Sequence, residues 1–194
     1  DAANANDVIE CSPGTYNEAV TIDKSLTVQG TNSNRALQVL DGTGITAGSN
    51  GFSINSNITG VTIKNFTVQN FTGTGGNSAG IKGLLSNSNL LINNVDVKNN
   101  INSAGIHLSG GSAIDNVTIT NSSSSNHGPG VRGIVIWDGL KTNINISNNT
   151  VTNNNCCGIE LQDGNASAVT VSGNTIDIGA GDNGLGLTGM NSSI

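Results

Sequence analysis

A Gly-Ile-x-Leu pattern, or a close variant of it, returns along this chain at nearly constant spacing and constrains the fold more than any other feature. The five copies begin 25, 28, 25 and 26 residues apart, at Gly80, Gly105, Gly133, Gly158 and Gly184. A repeat of this length indicates a solenoid, because each unit can bury its apolar side chains only against its neighbours.

A second element accompanies each copy, and we align it over residues 63–68, 92–97, 114–119, 146–151 and 171–176. One full unit, residues 158–176, holds three stretches with the alternation of short strands, separated by turn residues such as Asp163-Gly164. The pattern predicts an all-β, right-handed parallel β-helix of about seven to eight coils, with three short strands per coil. Residues 1–194 are predicted to form one domain. Two other solenoid classes are excluded: the leucine framework of leucine-rich repeats is absent, and the coil length varies too much for a hexapeptide left-handed helix.

Asparagines recur where we expect the chain to bend. We predict one column of Asn65, Asn94, Asn116 and Asn148, with Gly173 in the last coil, and a second column of Asn70, Asn99, Asn121 and Asn153. Asn and Gly tolerate left-handed backbone, and stacked amides can hydrogen-bond along the solenoid axis. These columns are therefore interpreted as structural.

Composition limits the partners. The net charge of −6 offers no basic stripe for nucleic acid, and no apolar stretch is long enough to span a membrane. Few charged residues (10%) and many Asn, Ser and Thr favour an extracellular or cell-surface protein. Cys11 is predicted to lie too far from Cys156 and Cys157 for a disulfide, so the adjacent pair forms either a vicinal disulfide or two free thiols.

The first sixty residues carry a family resemblance. The segments 7–18, with Pro13-Gly14-Thr15-Tyr16, then 20–30, with Asp23-Lys24-Ser25-Leu26-Thr27, and then 40–44 resemble the opening coils of pectin-lyase-like right-handed β-helix proteins. That group includes pectinesterases, pectate lyases and surface proteins of unassigned activity. The resemblance implies the fold for the whole chain, whereas one fold hosts many activities.

Two departures from this family concern the ends. Only residues 1–6 stand where the family usually has an amphipathic helix that covers the open end, and residues 189–194 follow a fresh first strand without a polar cap. Unpaired strand edges invite pairing with another chain. We therefore expect either a fragment of a longer solenoid or a unit that stacks end to end.

Candidate functional residues lie on the predicted outward face of the first strands. Their first row is Lys82, His107, Val135, Glu160 and Gly186, and the next row is Ser109, Trp137, Gln162 and Thr188. We expect Lys82 and His107 to be solvated there. Trp137, Glu160, Gln162, His107 and Lys82 are the predicted binding residues, with Trp137 as a platform for a sugar ring or as a lid over an inserted loop, 121–129.

Asp138, Asp163 and Arg132 are the candidates for catalysis. One coil step would place the two carboxylates roughly 5 Å apart, which suits a retaining glycosidase or a shared Ca²⁺. Asp-Gly is also a common turn signature, so both aspartates are alternatively turn residues. Gln162-Asp163 matches part of a pectinesterase motif, and no catalytic set of the family is complete. Whether the chain is an enzyme stays open; a polysaccharide lyase or a glycoside hydrolase is the class that the resemblance implies, with no organic cofactor.

The sequence thus favours an extracellular module that binds or processes a polysaccharide on its first-strand face. The alternative is a structural or adhesive surface protein that assembles with itself, end to end. Ice binding is a third hypothesis, since Thr118/Thr120 and Thr150/Thr152 would form a flat threonine array.

Overall fold

A computed structural model describes residues 3–74, 78–84, 89–111, 113–179 and 183–190. The chain is an all-β parallel solenoid of about six turns with two main parallel sheets. The strands, in chain order, are β1 (Val8–Cys11), β2 (Gly14–Tyr16), β3 (Val20–Ile22), β4 (Thr27–Gly30), β5 (Gln38–Asp41), β6 (Phe52–Ile54), β7 (Val61–Gln69), β8 (Ala79–Leu84), β9 (Leu90–Lys98), β10 (Ala104–Ser109), β11 (Ala113–Thr120), β12 (Ser123–Gly128), β13 (Arg132–Trp137), β14 (Leu140–Ser147), β15 (Thr150–Asn154), β16 (Cys157–Gly164), β17 (Ala166–Ser172), β18 (Thr175–Asp177) and β19 (Asn183–Met190). One short 3-10 helix, Arg35–Leu37, precedes β5.

The seven-stranded sheet has the order β19-β16-β13-β10-β8-β6-β3 and contains the Gly-Ile-x-Leu repeat. Its register pairs the isoleucine or leucine of each copy with that of the next: Ile81, Ile106, Ile134, Ile159 and Leu185. The predicted alignment of this element is confirmed. Close packing requires glycine in the first four copies, since a Cβ on Gly105 would lie 2.0 Å from Ser124 Oγ and one on Gly133 would lie 2.4 Å from Val151 Cγ1. A Cβ on Gly184 would meet no atom closer than 3.7 Å.

The twelve-stranded sheet contains two rows of strands. One row runs β1-β4-β7-β9-β11-β14-β17, and β2, β5, β12, β15 and β18 form a second row that joins it through the long strands β7 and β9. Core residues such as Ile63, Ile92, Ile119 and Ile146 stack in register between neighbouring strands and are fully buried. Burial of apolar side chains between successive turns is the main stabilising contribution.

The number of turns is smaller than predicted, because the early turns are longer than the repeat. Val20 pairs with Phe52, 32 residues later, and Phe52 pairs with Ile81, 29 residues later. The additional residues of the first of these turns include the 3-10 helix. A repeat calibrated on the later, shorter turns therefore overestimates the count.

The predicted alignment of segment 114–119, one unit of the second element, is wrong. Ile92 pairs with Ile119 and not with Ile114, so segment 114–119 is displaced by five residues from its predicted place. Asn121 therefore follows Asn94 in the first column, where the four asparagines have φ of 62°, 54°, 52° and 57° at Asn65, Asn94, Asn121 and Asn148. Asn116 instead aligns with Asn143 in another bend, and Asn126 takes the predicted place of Asn121. The predicted left-handed backbone of these asparagines is confirmed.

Two further expectations are wrong. Residues 121–129 do not form an overhanging loop, because Ser123–Gly128 is strand β12 and the ring of His127 is fully buried inside the solenoid. The predicted threonine array does not form, since Thr118 and Thr120 lie on β11, whereas Thr150 and Thr152 lie on β15 in the other row.

The remaining expectations concern cysteines, a membrane span and the ends. Cys11, Cys156 and Cys157 are free thiols. Within the described ranges, no helix has the length and hydrophobicity of a membrane-spanning segment. Residues 1–2 and 191–194, on which part of the expectation about the ends rests, lie outside the described residues.

Candidate functional site

The outward face of the seven-stranded sheet carries the predicted residues in the predicted order. Lys82 pairs with His107 in neighbouring strands, His107 with Val135, and Val135 with Glu160. Trp137 pairs with Gln162, and Gln162 with Thr188. The structure therefore brings together all five predicted binding residues.

The expected solvation of this face is wrong. Lys82 is 8% exposed, His107 1% and Glu160 8%. The outward surface is packed: Trp137 folds onto a small apolar cluster of Ala79, Ala104 and Val135. Small side chains at these positions leave room for an indole to lie against the sheet, which turns outward residues into buried ones.

Trp137 lies at the centre of these contacts. The His107 ring meets the indole edge to face, with centroids 4.9 Å apart and an interplanar angle of 88°. The Arg132 guanidinium carbon is 4.7 Å from the centroid of the Trp137 ring, within the range of a cation–π contact. Half-buried and contacted in this way, the indole does not form the open sugar platform that the sequence suggested.

Lys82 and His107 form a buried polar pair. Lys82 Nζ lies 3.2 Å from His107 Nδ1. Burial lowers the pKa of Lys82 to about 8, although the nearby Asp138 carboxylate favours the charged form. Burial, and then the charges of Lys82 and Arg132, lower the pKa of His107 to about 3. At neutral pH the imidazole is therefore uncharged beside an ammonium group.

Arg132 is held by a carboxylate on the next turn. Its Nε donates to Glu160 Oε2, and the two side chains form a salt bridge that is only partly exposed. Thr188 Oγ1 lies 3.5 Å from the other carboxylate oxygen of Glu160. The predicted catalytic arginine and the predicted binding glutamate thus neutralise each other.

Three polar atoms of this face are buried without a hydrogen-bond partner among the described residues: His107 Nε2, Trp137 Nε1 and Gln162 Oε1. Buried polar atoms are nearly always hydrogen-bonded, and each exception calls for an explanation. Together with Lys82, Arg132 and Glu160, these three side chains are called the outward cluster below.

Asp138 directly follows β13, and Asp163 lies near the end of β16. Both are exposed and have left-handed backbone, with φ of 57° and 54°, and each precedes a glycine that also has positive φ. Asp138 lies in the bend after β13, as the turn interpretation predicts, whereas Asp163 lies within strand β16. A catalytic role for the pair stays a prediction.

The sequence analysis missed Lys141, whose ammonium group binds the backbone at both Asp138 and Asp163. Its side chain is fully buried, and Nζ donates to the carbonyl oxygens of Asp138 at 2.9 Å, Gln162 at 2.9 Å and Asp163, with Gly139 O at 3.3 Å. Burial lowers the pKa of Lys141, and the carboxylates of Asp138 and Asp163 oppose that shift. The signal that could have revealed it is a lysine at an inward position of β14, on the same side as the buried Ile144 and Ile146.

The predicted calcium site fits this arrangement poorly. A Ca²⁺ ion takes six to eight oxygen ligands, and carbonyl oxygens of the turn would have to supply most of them. The Lys141 ammonium already binds those carbonyls, which leaves the two aspartate carboxylates alone. No three His, Cys, Asp or Glu side chains come together as a metal site would need, among the residues that the structure describes.

Comparisons with models of protein families, with curated proteins and with solved structures found no match to this chain. The pectin-lyase-like resemblance therefore stays a prediction.

Proposed function

We propose that this solenoid is an extracellular module that binds or processes a polysaccharide on the outward face of its seven-stranded sheet. The observation that supports this most is the set of unpartnered polar atoms in the outward cluster, on His107, Trp137 and Gln162. Sugars present closely spaced donors and acceptors together with apolar ring faces. A site with an indole and a few convergent polar groups suits such a ligand.

Binding is better supported than catalysis. Arg132 and Glu160 are engaged with each other, and the backbone of Asp138 and Asp163 is engaged with Lys141. The carboxylates of Asp138 and Asp163 remain exposed and are the candidates for hydrolysis or elimination if the protein processes its ligand. An Asp138→Asn/Asp163→Asn double variant that retains binding but loses release of reducing ends would establish processing.

We further propose the finer architecture that the sequence suggested, a right-handed helix with three strands per coil of the pectin-lyase-like kind. Parallel strands joined by crossovers in one sheet are right-handed in about 98% of cases. The two rows of the larger sheet and the seven-stranded sheet are consistent with three strands in each coil. A crystal structure with a left-handed path would overturn this proposal.

The experiment that tests glycan binding uses Trp137, since the chain has a single tryptophan. Intrinsic fluorescence is recorded while a broad panel of neutral, acidic and amino-sugar oligosaccharides is titrated, with isothermal titration calorimetry for each responder. We expect a saturable change with at least one class. Thr170→Val, on a strand of the other sheet, is the matched control and should bind unchanged. A panel without any response in either measurement would overturn the proposal.

End-to-end assembly is the second candidate function. Leu185 and Leu187 continue the core rows of Ile159 and Leu161, yet they are 47% and 46% exposed at the last described turn. A second copy stacked on β19 would cover them and satisfy the strand edge. Light scattering across concentration, with and without Ca²⁺, tests this: growth into rods supports assembly, and a stable monomer at high concentration contradicts it.

A further inference from the structure

The hydrogen-bonding character of the outward cluster follows from its internal contacts. The Lys82 ammonium has donors only, so His107 Nδ1 accepts from it, and the single proton of the neutral imidazole lies on Nε2. Trp137 Nε1 is likewise an N–H donor, whereas Gln162 Oε1 is an acceptor. The unpartnered atoms are therefore two donors and one acceptor.

The charges around these atoms are balanced. Arg132 is paired with Glu160, and Lys82 lies in the field of Asp138. An incoming carboxylate would meet the Glu160 carboxylate and the Gln162 oxygen, and it would offer no donor to the latter. A neutral group that has both an acceptor and a donor suits the cluster better than an anion does. The protein's net charge of −6 also disfavours acidic glycans.

We propose that the outward cluster recognises the acetamido group of an N-acetylated amino sugar. This inference rests on the proposed function and names its ligand class. A carbonyl oxygen has two lone pairs and can accept from both His107 Nε2 and Trp137 Nε1, while the acetamido N–H donates to Gln162 Oε1. The methyl group would pack on the face of the indole that the Arg132 guanidinium covers.

Arg132 is the side chain that must move to admit this ligand. The three unpartnered atoms are shielded from solvent, and the guanidinium lies against the indole. It is also partly exposed, with 23% of its side chain accessible, and its partner Glu160 lies on the neighbouring strand. A rotation of this long, flexible side chain about its own bonds uncovers the indole without a change in the sheet.

The test compares three oligosaccharides that differ at one position of the sugar. Calorimetry is performed with the tetramer of β-1,4-linked N-acetylglucosamine, with its fully deacetylated form and with cellotetraose. We expect the acetylated tetramer to bind at least tenfold more tightly than either of the others. Such discrimination is typical where a site's polar groups are left unpaired by the wrong ligand.

Two variants remove single hydrogen-bonding atoms. Trp137→Phe removes the indole N–H and keeps an aromatic ring, and Gln162→Leu removes the acceptor. Each should weaken binding of the acetylated tetramer at least fivefold and should weaken the binding of cellotetraose by a smaller factor. Thermal melts confirm that both variants fold, and Thr170→Val is again the matched control.

The outcomes separate this inference from the proposed function. Equal affinity for acetylated and non-acetylated tetramers, or preference for a uronic acid oligomer in the panel, would overturn the acetamido inference while carbohydrate binding stands. Acetyl-dependent binding that neither variant affects would also overturn it, because the site would then lie elsewhere. Failure to bind any oligosaccharide would overturn both.

Discussion

At the scale of single residues, the pairing of Lys82 with His107 should be visible in the fluorescence of Trp137. The pKa of Lys82 is lowered to about 8, and the His107 ring touches the indole. Loss of the Lys82 charge alters the field at the imidazole and therefore at the indole. We expect a fluorescence transition with a midpoint near pH 8.

The matched variants for this titration are Lys82→Met, which should abolish the transition, and Lys64→Met, which should retain it because Lys64 lies on β7 in the other sheet. A flat profile of the unmodified protein between pH 7 and pH 9 would contradict the assignment.

His127 should make the fold sensitive to acid. Its Nδ1 accepts from Asn100 N at 3.3 Å, and its Nε2 lies 2.9 Å from Ser124 Oγ. Burial lowers its pKa from 6.5 to about 3, and Asp96 opposes this only in part. Between these values the unfolded chain binds a proton that the folded chain does not, so the free energy of unfolding falls as the pH falls.

The loss should amount to about 2 kcal/mol between pH 7 and pH 5 for each buried histidine. His127→Asn keeps an acceptor near the position of Nδ1, and its stability, measured by denaturant titration, should depend less on pH. His107→Asn should remove a comparable part of the pH dependence. In the double variant the free energy of unfolding should be nearly constant from pH 7 to pH 5. An unchanged slope in the double variant would show that other groups carry the acid sensitivity.

Lys141 should be among the most sensitive positions of the chain. Lys141→Met removes the Nζ donor from the carbonyl oxygens of Asp138 and Asp163, whereas Gln162 O keeps the hydrogen bond from Asp138 N at 3.1 Å. A carbonyl oxygen that loses its donor away from water typically costs about 1–3 kcal/mol, so the loss of both contacts should cost about 2 kcal/mol or more. Chemical denaturation measures this cost, and Lys64→Met should change stability by less than about 0.5 kcal/mol. Equal effects of the two substitutions would show that the contacts of Lys141 Nζ with the backbone do not stabilise the fold.

At the scale of elements, the sequence was sufficient where glycine and an apolar residue recur together. The register of β8, β10, β13, β16 and β19 follows from that repeat, because a close approach of neighbouring turns demands glycine at a fixed place. The predicted alignment of segment 114–119 with segment 92–97 is wrong because the two have similar sequences. The segment that pairs with residues 92–97 is 119–124, which has Ser124 at the inward position of Val97, and a serine does not mark a core position.

The sequence predicted which side chains of the candidate site are neighbours, but it did not predict how deeply they are buried. Strand alternation placed His107 and Trp137 on one face correctly. Their burial depends on Ala79, Ala104 and Val135 making room for an indole, a packing relation between three turns. Periodicity within one strand does not contain such information.

Arg35 should clamp the long early turn to later ones. From the 3-10 helix, its guanidinium donates to Asn121 O at 2.9 Å, Ser123 Oγ at 3.1 Å and Val95 O at 3.3 Å. Arg35→Ala should cost about 2–3 kcal/mol, because each hydrogen bond to a charged group contributes about 1 kcal/mol or more.

Arg35→Lys should recover less than half of that loss, since an ammonium cannot reproduce the planar fork. Thermal denaturation measures both variants, and Lys98→Ala, which removes an ion pair with Asp96, is the control and should cost at most about 1 kcal/mol. Full recovery by lysine would mean that charge alone holds the turn.

At the scale of the whole molecule, about six turns stack so that each contacts mainly the turn before and the turn after. The sequence predicted this arrangement but overestimated the number of turns, because the spacing of the later copies does not reveal the 32 residues between Val20 and Phe52. An insertion within a turn lengthens the chain without adding height to the solenoid.

The irregularity between Ser125 and Gly128 has a consequence for how the molecule opens. There the pairing of β12 with β15 shifts, and the buried Asn154 Oδ1 has no partner among the described residues. In a solenoid each turn contacts mainly its neighbours, so local unfolding is expected to begin at the least stable interface between turns. Amide protons on the two sides of this junction should therefore exchange with solvent as two blocks with different protection, so that the molecule, although one continuous stack, opens as two.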